Sequence, residues 1–475
     1  MRRFLALLFT LALAAAACGS DPDEGAGTST GASEPGADTS EPEEQLDPEP
    51  DEDNPDEDNK VDEEPEPEAE AEPVADPNPL GALRVPEDYP TIQEAVDAAA
   101  PGDIVLIGEG VYNESVSVET DNIVIRGVDR QGVVLDGMHS EDLANGIIVF
   151  ANGVAVENLT VQNYYSNGVF FTGDYDSDFL LEGYRISHVT ALNNRKYGLY
   201  AFNATYGLIE NSYAAGHTDS GYYVGQCQPC RVLLTNNISE YNTLAYSGTN
   251  AGGELYVVNN EFRLNRIGVT PNTLSSEELA PQRSGVFAGN WIHSNGNPET
   301  SKGGDIWELA YGVGMVLPGA NENLILRNLI ENNRNGGVAI SFLPDGDILW
   351  QATDNQIREN VFIGNGIDIV MVQQAPGDGL GNCFAGNNYT SSRPADIETV
   401  LPCDGPQGDV SDMIGIEFFA PPAADENVAY EDVASPGAPD QPGMADPLTA
   451  PAVTADVIPE FDTFDLDAIT VPSGG

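Results

Sequence analysis

The chain has 475 residues, with 77 Asp and Glu against 18 Lys and Arg, a formal net charge of −59. A surface this acidic repels phosphate backbones and anionic lipid, which excludes nucleic acid and a charged membrane face as partners. Hydrophobic residues make up 41% of the sequence, enough for a core in part of it, and past the N-terminus no run of about 18 apolar residues could span a bilayer.

Residues 1–17 hold two arginines, an apolar stretch and a run of alanines, the pattern of an export signal. Residues 18–80 turn to Pro, Glu, Asp, Gly, Ser and Thr, with one lysine, Lys60, and almost no aliphatics. Such a stretch cannot bury enough apolar surface to offset its ordering entropy, so it reads as an acidic disordered linker. Cys18 follows Ala15-Ala16-Ala17 directly and precedes Gly19 and Ser20. This resembles the lipobox of bacterial lipoproteins, with Ala15 where leucine is usual. The resemblance implies lipidation of Cys18 and an exported protein, lipid-anchored to the bacterial cell membrane and extracytoplasmic, whose membrane contact is that lipid alone. Ordinary secretion with cleavage nearby is the alternative.

Residues 81–404 form the folded region. Thr91 to Ala99 reads as a helix with Ile92, Ala95, Val96 and Ala99 on one face, opened by a Thr91/Glu94 capping box. A first strand follows within Gly102–Tyr112, then short ones at Val116–Val118 and Ile123–Gly127. From about 155 to 390 an Asn-punctuated unit recurs: Asn158 to Asn163, Asn237 to Asn242, Asn260 to Asn265, Asn290 to Asn295, Asn328 to Asn333 and Asn360 to Asn365. Weaker copies lie at His188 to Asn193 and Asn211 to Gly216. A Gly and a short apolar run follow each, and the unit returns roughly every 23 to 38 residues, a solenoid spacing.

Asn and Gly accept the left-handed backbone of a sharp turn at least cost, and stacked Asn side chains can hydrogen-bond as a ladder. The runs are too short and too rich in β-branched and aromatic residues for helices. The position two after the first Asn holds Phe262, Ile292, Ile330 and Phe362, as an inward slot should. The fold is therefore all-β: a right-handed parallel β-helix solenoid with an N-terminal capping helix, flanked by disordered acidic segments. The helix-plus-strand opening resembles that of pectin-lyase-like proteins. The Asn array resembles the parallel β-helix repeat family, which includes pectate lyases, alginate epimerases and lyases, and NosD-type periplasmic proteins.

Residues 405–475 return to a Pro- and Asp-rich tail with one apolar-acidic patch, 457–471. Either it stays disordered, or Phe461, Phe464, Leu466 and Ile469 dock on the solenoid.

Setting aside Cys18, four cysteines remain, an even number in an oxidising compartment. Cys383 and Cys403 bracket the last coil and are expected to staple it. Cys227-Gln-Pro-Cys230 has redox-motif spacing without a thioredoxin-like context, and two thiols make a poor zinc site, so a tight structural disulfide is the favoured reading. Asp174, Asp176 and Asp178 alternate as carboxylates that could hold Ca2+, the one cofactor in view. The run lacks the glycine and spacing of a calcium hand, so a solvated acidic loop is the stronger reading.

In the strands after each Gly, the first and third residues should face inward: Val169 and Phe171, Leu199 and Ala201, Val338 and Ile340. The second faces out and should stack as Phe170, Tyr200, Tyr223, Asn250 and Thr270, exposed rings on which sugars can rest. Two residues before the Gly, Lys196, Asp219, Tyr246 and Arg266 should align on adjacent coils. Uronate chemistry needs a cation to neutralise the carboxylate, a base beside the proton removed and an acid for the leaving oxygen. Lys196 or Arg266 suits the first task, and Asp219 or Tyr223 suits proton transfer. Asn250 and Gln226 would orient substrate with Phe170 and Tyr200, and insertions at about 271–285 and 296–310, with Arg283, Lys302 and Trp307, could wall the groove. Surface residues that merely keep the sheet soluble are the plainer reading.

No Gly-x-Ser-x-Gly, His-Glu-x-x-His or phosphate loop occurs. The Gln and Asp-plus-Arg motifs of pectin methylesterases and the Asp-Pro-His of alginate epimerases are absent too, so no family catalytic residue carries over. The expected partner is a polysaccharide or cell-envelope glycan, bound by a monomer and modified as a lyase, epimerase or glycoside hydrolase would. A non-catalytic carbohydrate- or protein-binding scaffold is the second reading. A NosD-like metal accessory protein is the third, against which stand only four His and six Met.

Overall fold

The computed structural model describes residues 78–174, 179–301, 310–372, 379–421, 441–453 and 465–474. The expected export signal, Cys18 and the expected acidic linker lie outside them, as do Asp176, Asp178, Lys302, Trp307, Phe461 and Phe464.

A full coil contributes one short strand to each of three parallel sheets, which among the described residues stack 12, 10 and 11 strands. One coil runs Val154–Glu157 in the first sheet, Thr160–Gln162 in the second and Asn167–Thr172 in the third. It then re-enters the first at Leu181–Ser187. The register places like residues over like, as in Phe262↔Ile292, Ile292↔Ile330 and Ile330↔Phe362, and all four side chains sit in the core. Val169, Phe171, Leu199, Ala201, Val338 and Ile340 also face inward as expected.

The corners separate two jobs that the sequence reading gave to one Asn. The residue at positive φ comes first and tolerates several identities: Asn236 and Tyr241, Asn259 and Leu264, Arg327 and Asn332. The next residue is the ladder Asn. Asn260 N–H donates to Asn290 Oδ1 at 3.0 Å, Asn290 N–H to Asn328 Oδ1 at 2.9 Å, and Asn328 N–H to Asn360 Oδ1 at 2.9 Å. A second ladder follows the other end of the second sheet through Asn242, Asn265, Asn295, Asn333 and Asn365. These bonds satisfy buried corner N–H groups that no strand partner reaches.

The helix Ile92–Ala98 closes the first coil, with Thr91 Oγ1 accepting from the Glu94 N–H at 3.2 Å and Ile92, Ala95 and Val96 buried. At the far end a Cys383–Cys403 disulfide and the turn Ile397–Val400 complete the last coil. Residues 405–421, assigned by sequence to the tail, continue this cap, with Val410 in the core and Phe419 against the outer face of the third sheet. Leu466 and Ile469 dock on the outer apolar face of the first sheet, beside Leu208, Leu233, Val258, Ala288 and Leu326. Arg327 donates to the Leu466 and Ile469 carbonyls, both at 3.1 Å, and Arg126 to those of Pro447 and Ala450, at 3.0 and 2.6 Å. One guanidinium thus grips each single turn of the tail.

Candidate functional site

Strand alternation in the third sheet sends Tyr222 and Val224 inward and Tyr223 outward. The register aligns Ile148, Phe170, Tyr200, Tyr223, Ser247 and Thr270 along the outer face. Ser247, not Asn250, therefore follows Tyr223 in the row, because that strand starts four residues before Gly248. Likewise Asp219 aligns with Thr243 and Arg266, while Tyr246 pairs with inward-facing Tyr222 and lies in the core.

The row is a packed aromatic cluster and not an open line of rings. Phe170 and Tyr200 stack at 4.2 Å with planes 3° apart, and Tyr223 meets Tyr200 edge-on at 4.8 Å. Tyr197 closes one side, 4.4 Å from Tyr200 and 5.1 Å from Tyr223, and Phe202 lies 6.0 Å from Tyr200. This leaves Tyr200 8% and Tyr223 5% exposed, which corrects the expectation of exposed faces for those two. Phe170, Tyr197 and Phe202 stay part-exposed, and Phe150 is open at the edge.

Two carboxyls flank this cluster. Asp219 precedes the strand Ser220–Gly225, with Lys196 alongside on the preceding coil. Burial pushes its pKa up to about 6, against hydrogen bonds from Ser220 (2.7 Å) and Tyr197 and the charge of Lys196. The other is Glu277, carried by the insertion that follows strand Ile267–Asn272 and folds back over Tyr223. The Tyr223 hydroxyl donates to Glu277 Oε1 at 3.1 Å, while Oε2 is buried with no hydrogen-bond partner among the described residues. Burial pushes Glu277 up to about 7, with hydrogen bonds from Tyr223 and Asn250 offsetting part of it. Burial and the neighbouring Glu277 also raise the Tyr223 phenol well above its ordinary range.

Glu277 was not picked out in the sequence. Its insertion was, but nothing in Glu277-Glu278 tells which carboxyl turns toward the sheet. Gln226 and Asn250 are buried and brace that insertion, Gln226 accepting from the Leu279 N–H at 3.2 Å and Asn250 from the Leu274 N–H at 3.1 Å. Arg266 is also buried, its Nε donating to the Ala310 carbonyl at 3.2 Å and its guanidinium over Tyr311 at 4.8 Å. Lys196 is thus the exposed cation beside Asp219. Both expected disulfides are formed, Cys227–Cys230 and Cys383–Cys403. The Asp174 backbone pairs with Phe179, and no group of three or more His, Cys, Asp or Glu suited to a metal occurs among the described residues.

Residues 109–277 match the family model described as a right handed beta helix region. No curated protein matches the chain. Among solved structures, the A-module of the Azotobacter vinelandii mannuronan C-5 epimerase AlgE4 is 15% identical at a TM-score of 0.41, covering 63% of this chain and 91% of that one. An alginate lyase from a Paenibacillus strain is 14% identical at 0.36, covering 63% and 94%. DFA-IIIase from Arthrobacter chlorophenolicus is 10% identical at 0.41, covering 68% and 96%. Three parallel sheets wound coil on coil, with the match over residues 109–277, show the right-handed parallel β-helix fold.

Proposed function

We propose that the outer face of the third sheet binds a uronate-containing polysaccharide and transfers protons on it, with Glu277 and Asp219 as the acid–base pair. The observation that carries this reading is Glu277: an insertion holds a carboxyl on the Tyr223 hydroxyl, its Oε2 buried without a hydrogen-bond partner among the described residues. A carboxyl kept protonated near neutral pH is a general acid. Phe150, Phe170 and Phe202 offer the apolar platform for sugar faces. Lys196 would neutralise the uronate carboxylate, lowering the cost of removing the adjacent C5 proton. In elimination, ionised Asp219 takes the C5 proton, the C4–C5 double bond forms, the C4–O4 bond breaks, and Glu277 gives its proton to O4. In epimerisation C4–O4 stays intact, and Glu277 instead gives its proton to the face of C5 opposite Asp219. Tethered through Cys18 outside the membrane, the protein would meet such a polymer in the cell envelope or beyond it.

Purified protein should be incubated with polymannuronate, polyguluronate and polygalacturonate, following unsaturated-product absorbance and C5 deuterium exchange. Turnover is expected, reduced roughly a hundredfold or more in Glu277→Gln. Turnover undiminished in that variant removes Glu277 from the chemistry.

The packing of Tyr200 and Tyr223 against their neighbours favours a second reading, a non-catalytic glycan-binding scaffold. Binding without turnover selects it, and absence of both removes the carbohydrate assignment.

A further inference from the structure

The insertion that carries Glu277 is held down from a distance, by the loop between Cys227 and Cys230. That loop leaves the strand Ser220–Gly225, two coils before the insertion. At about 4.8 Å per coil, the insertion reaches back roughly 10 Å to meet it. The Gln228 side-chain amide donates to the Leu279 carbonyl at 2.9 Å and to that of Pro281 at 2.8 Å. Gln226, just before the first cysteine, accepts from the Leu279 N–H. Between these coils, Asn250 holds Leu274 by both its carbonyl, at 2.7 Å, and its N–H, at 3.1 Å.

The disulfide fixes the base of these contacts. It closes the loop with the two Cα atoms 4.6 Å apart, and Cys227 and Cys230 are 1% and 0% exposed. The Gly252 N–H donates to the Cys227 carbonyl and the Cys230 N–H to the Gly252 carbonyl, both at 3.0 Å. Gln228 therefore projects from a loop pinned covalently to itself and by hydrogen bonds to the next coil. A side-chain amide that bridges two carbonyls keeps a segment in place only if its own backbone is fixed. Thiol chemistry has little access to sulfurs so buried.

We propose that the Cys227–Cys230 loop is a positioning device for Glu277, with Gln228 and Gln226 as positioning residues that clamp the 273–282 insertion over Tyr223. This rests on the reading of Glu277 as the acid of the site, but the clamp is measured without substrate. It also explains a Cys-x-x-Cys outside any redox fold: the short loop is there to hold a glutamine still. Without the clamp the insertion stays attached at its far side, where the Ser275 N–H donates to Asp345 Oδ2 at 2.5 Å. Glu277 would then lift from Tyr223 into water.

The test is hydrogen–deuterium exchange and carboxyl-carbon NMR titration on the full chain, for Gln228→Ala, the Cys227→Ser/Cys230→Ser double variant and a Cys383→Ser/Cys403→Ser control. In Gln228→Ala and in the first double variant, exchange at the Leu274 and Leu279 amides is expected to rise at least tenfold. The Glu277 carboxyl is expected to fall back toward an ordinary glutamate value, while the control changes neither. Gln228→Ala keeps both disulfides, so it reports even if the double cysteine variant does not fold. Unchanged exchange and unchanged Glu277 titration in Gln228→Ala overturn the proposal. A loosened insertion in a protein that turns over no uronate polymer leaves the clamp standing and rejects the catalytic reading instead.

Discussion

His217 shows how much a single side chain can carry here. It takes a ladder position otherwise held by Asn, with Nδ1 accepting from the Asn194 N–H at 3.2 Å, while the His217 backbone N–H donates to Asn242 Oδ1 at 2.9 Å. Burial holds its pKa down to about 4, so the ring stays neutral and remains an acceptor. The unfolded chain binds a proton at this residue below about pH 6.5 and the folded chain does not until about pH 4. Stability is thus fully present above pH 6.5 and is lost as pH falls toward 4, by on the order of 2–3 kcal/mol. His217→Asn restores the ladder amide and removes the titration. Urea unfolding at pH 7 and pH 4.5 is expected to show a smaller acid loss in the variant than in wild type. An equal loss in both would place the acid sensitivity elsewhere.

At the scale of elements, each docked turn of the tail matches a feature of the coil beneath it. Gly289 has φ +64°, and a Cβ there would lie 2.6 Å from both Ile469 Cγ2 and Asn259 Oδ1. Only glycine lets the tail cross that corner. Removing residues 441–475 would uncover Leu208, Leu233, Val258, Ala288 and Leu326, an apolar stripe of the kind that drives association. The shortened chain is expected to bind a hydrophobic dye and to self-associate in sedimentation, and dye binding equal to that of the full chain would contradict the docking. The strands and corners were legible in the sequence because each repeats a local rule, with an apolar residue two after the ladder Asn and a Gly before the next strand. Ser247 and Thr243 were not placed, because the Gly used for alignment is the fifth residue of its strand in that coil, as Gly248, and the second in its neighbours. Glu277 escaped for another reason: its role depends on an insertion folding back two coils, and no local pattern encodes that.

At the scale of the whole molecule, the charge of −59 opposes an acidic polymer as ligand only at long range. Repulsion between exposed charges fades beyond about 8 Å at physiological salt, whereas contacts within the aromatic–carboxyl patch are shorter than that. Affinity for a uronate polymer is therefore expected to rise from 0.01 M to 0.15 M salt, the reverse of the usual behaviour of a charged ligand on an oppositely charged site. Isothermal titration at the two ionic strengths measures this, and weaker binding at the higher salt would mean that attraction to exposed cations dominates.

The most direct measurement is a crystal structure of the Glu277→Gln protein soaked with a uronate oligosaccharide. The sugar is expected across Phe170 and Phe202, with one uronate carboxylate at Lys196 and its C4–C5 edge between Asp219 and the substituted residue 277. An oligosaccharide seated on the first or second sheet, or on the third sheet with residue 277 turned away from it, would contradict the account.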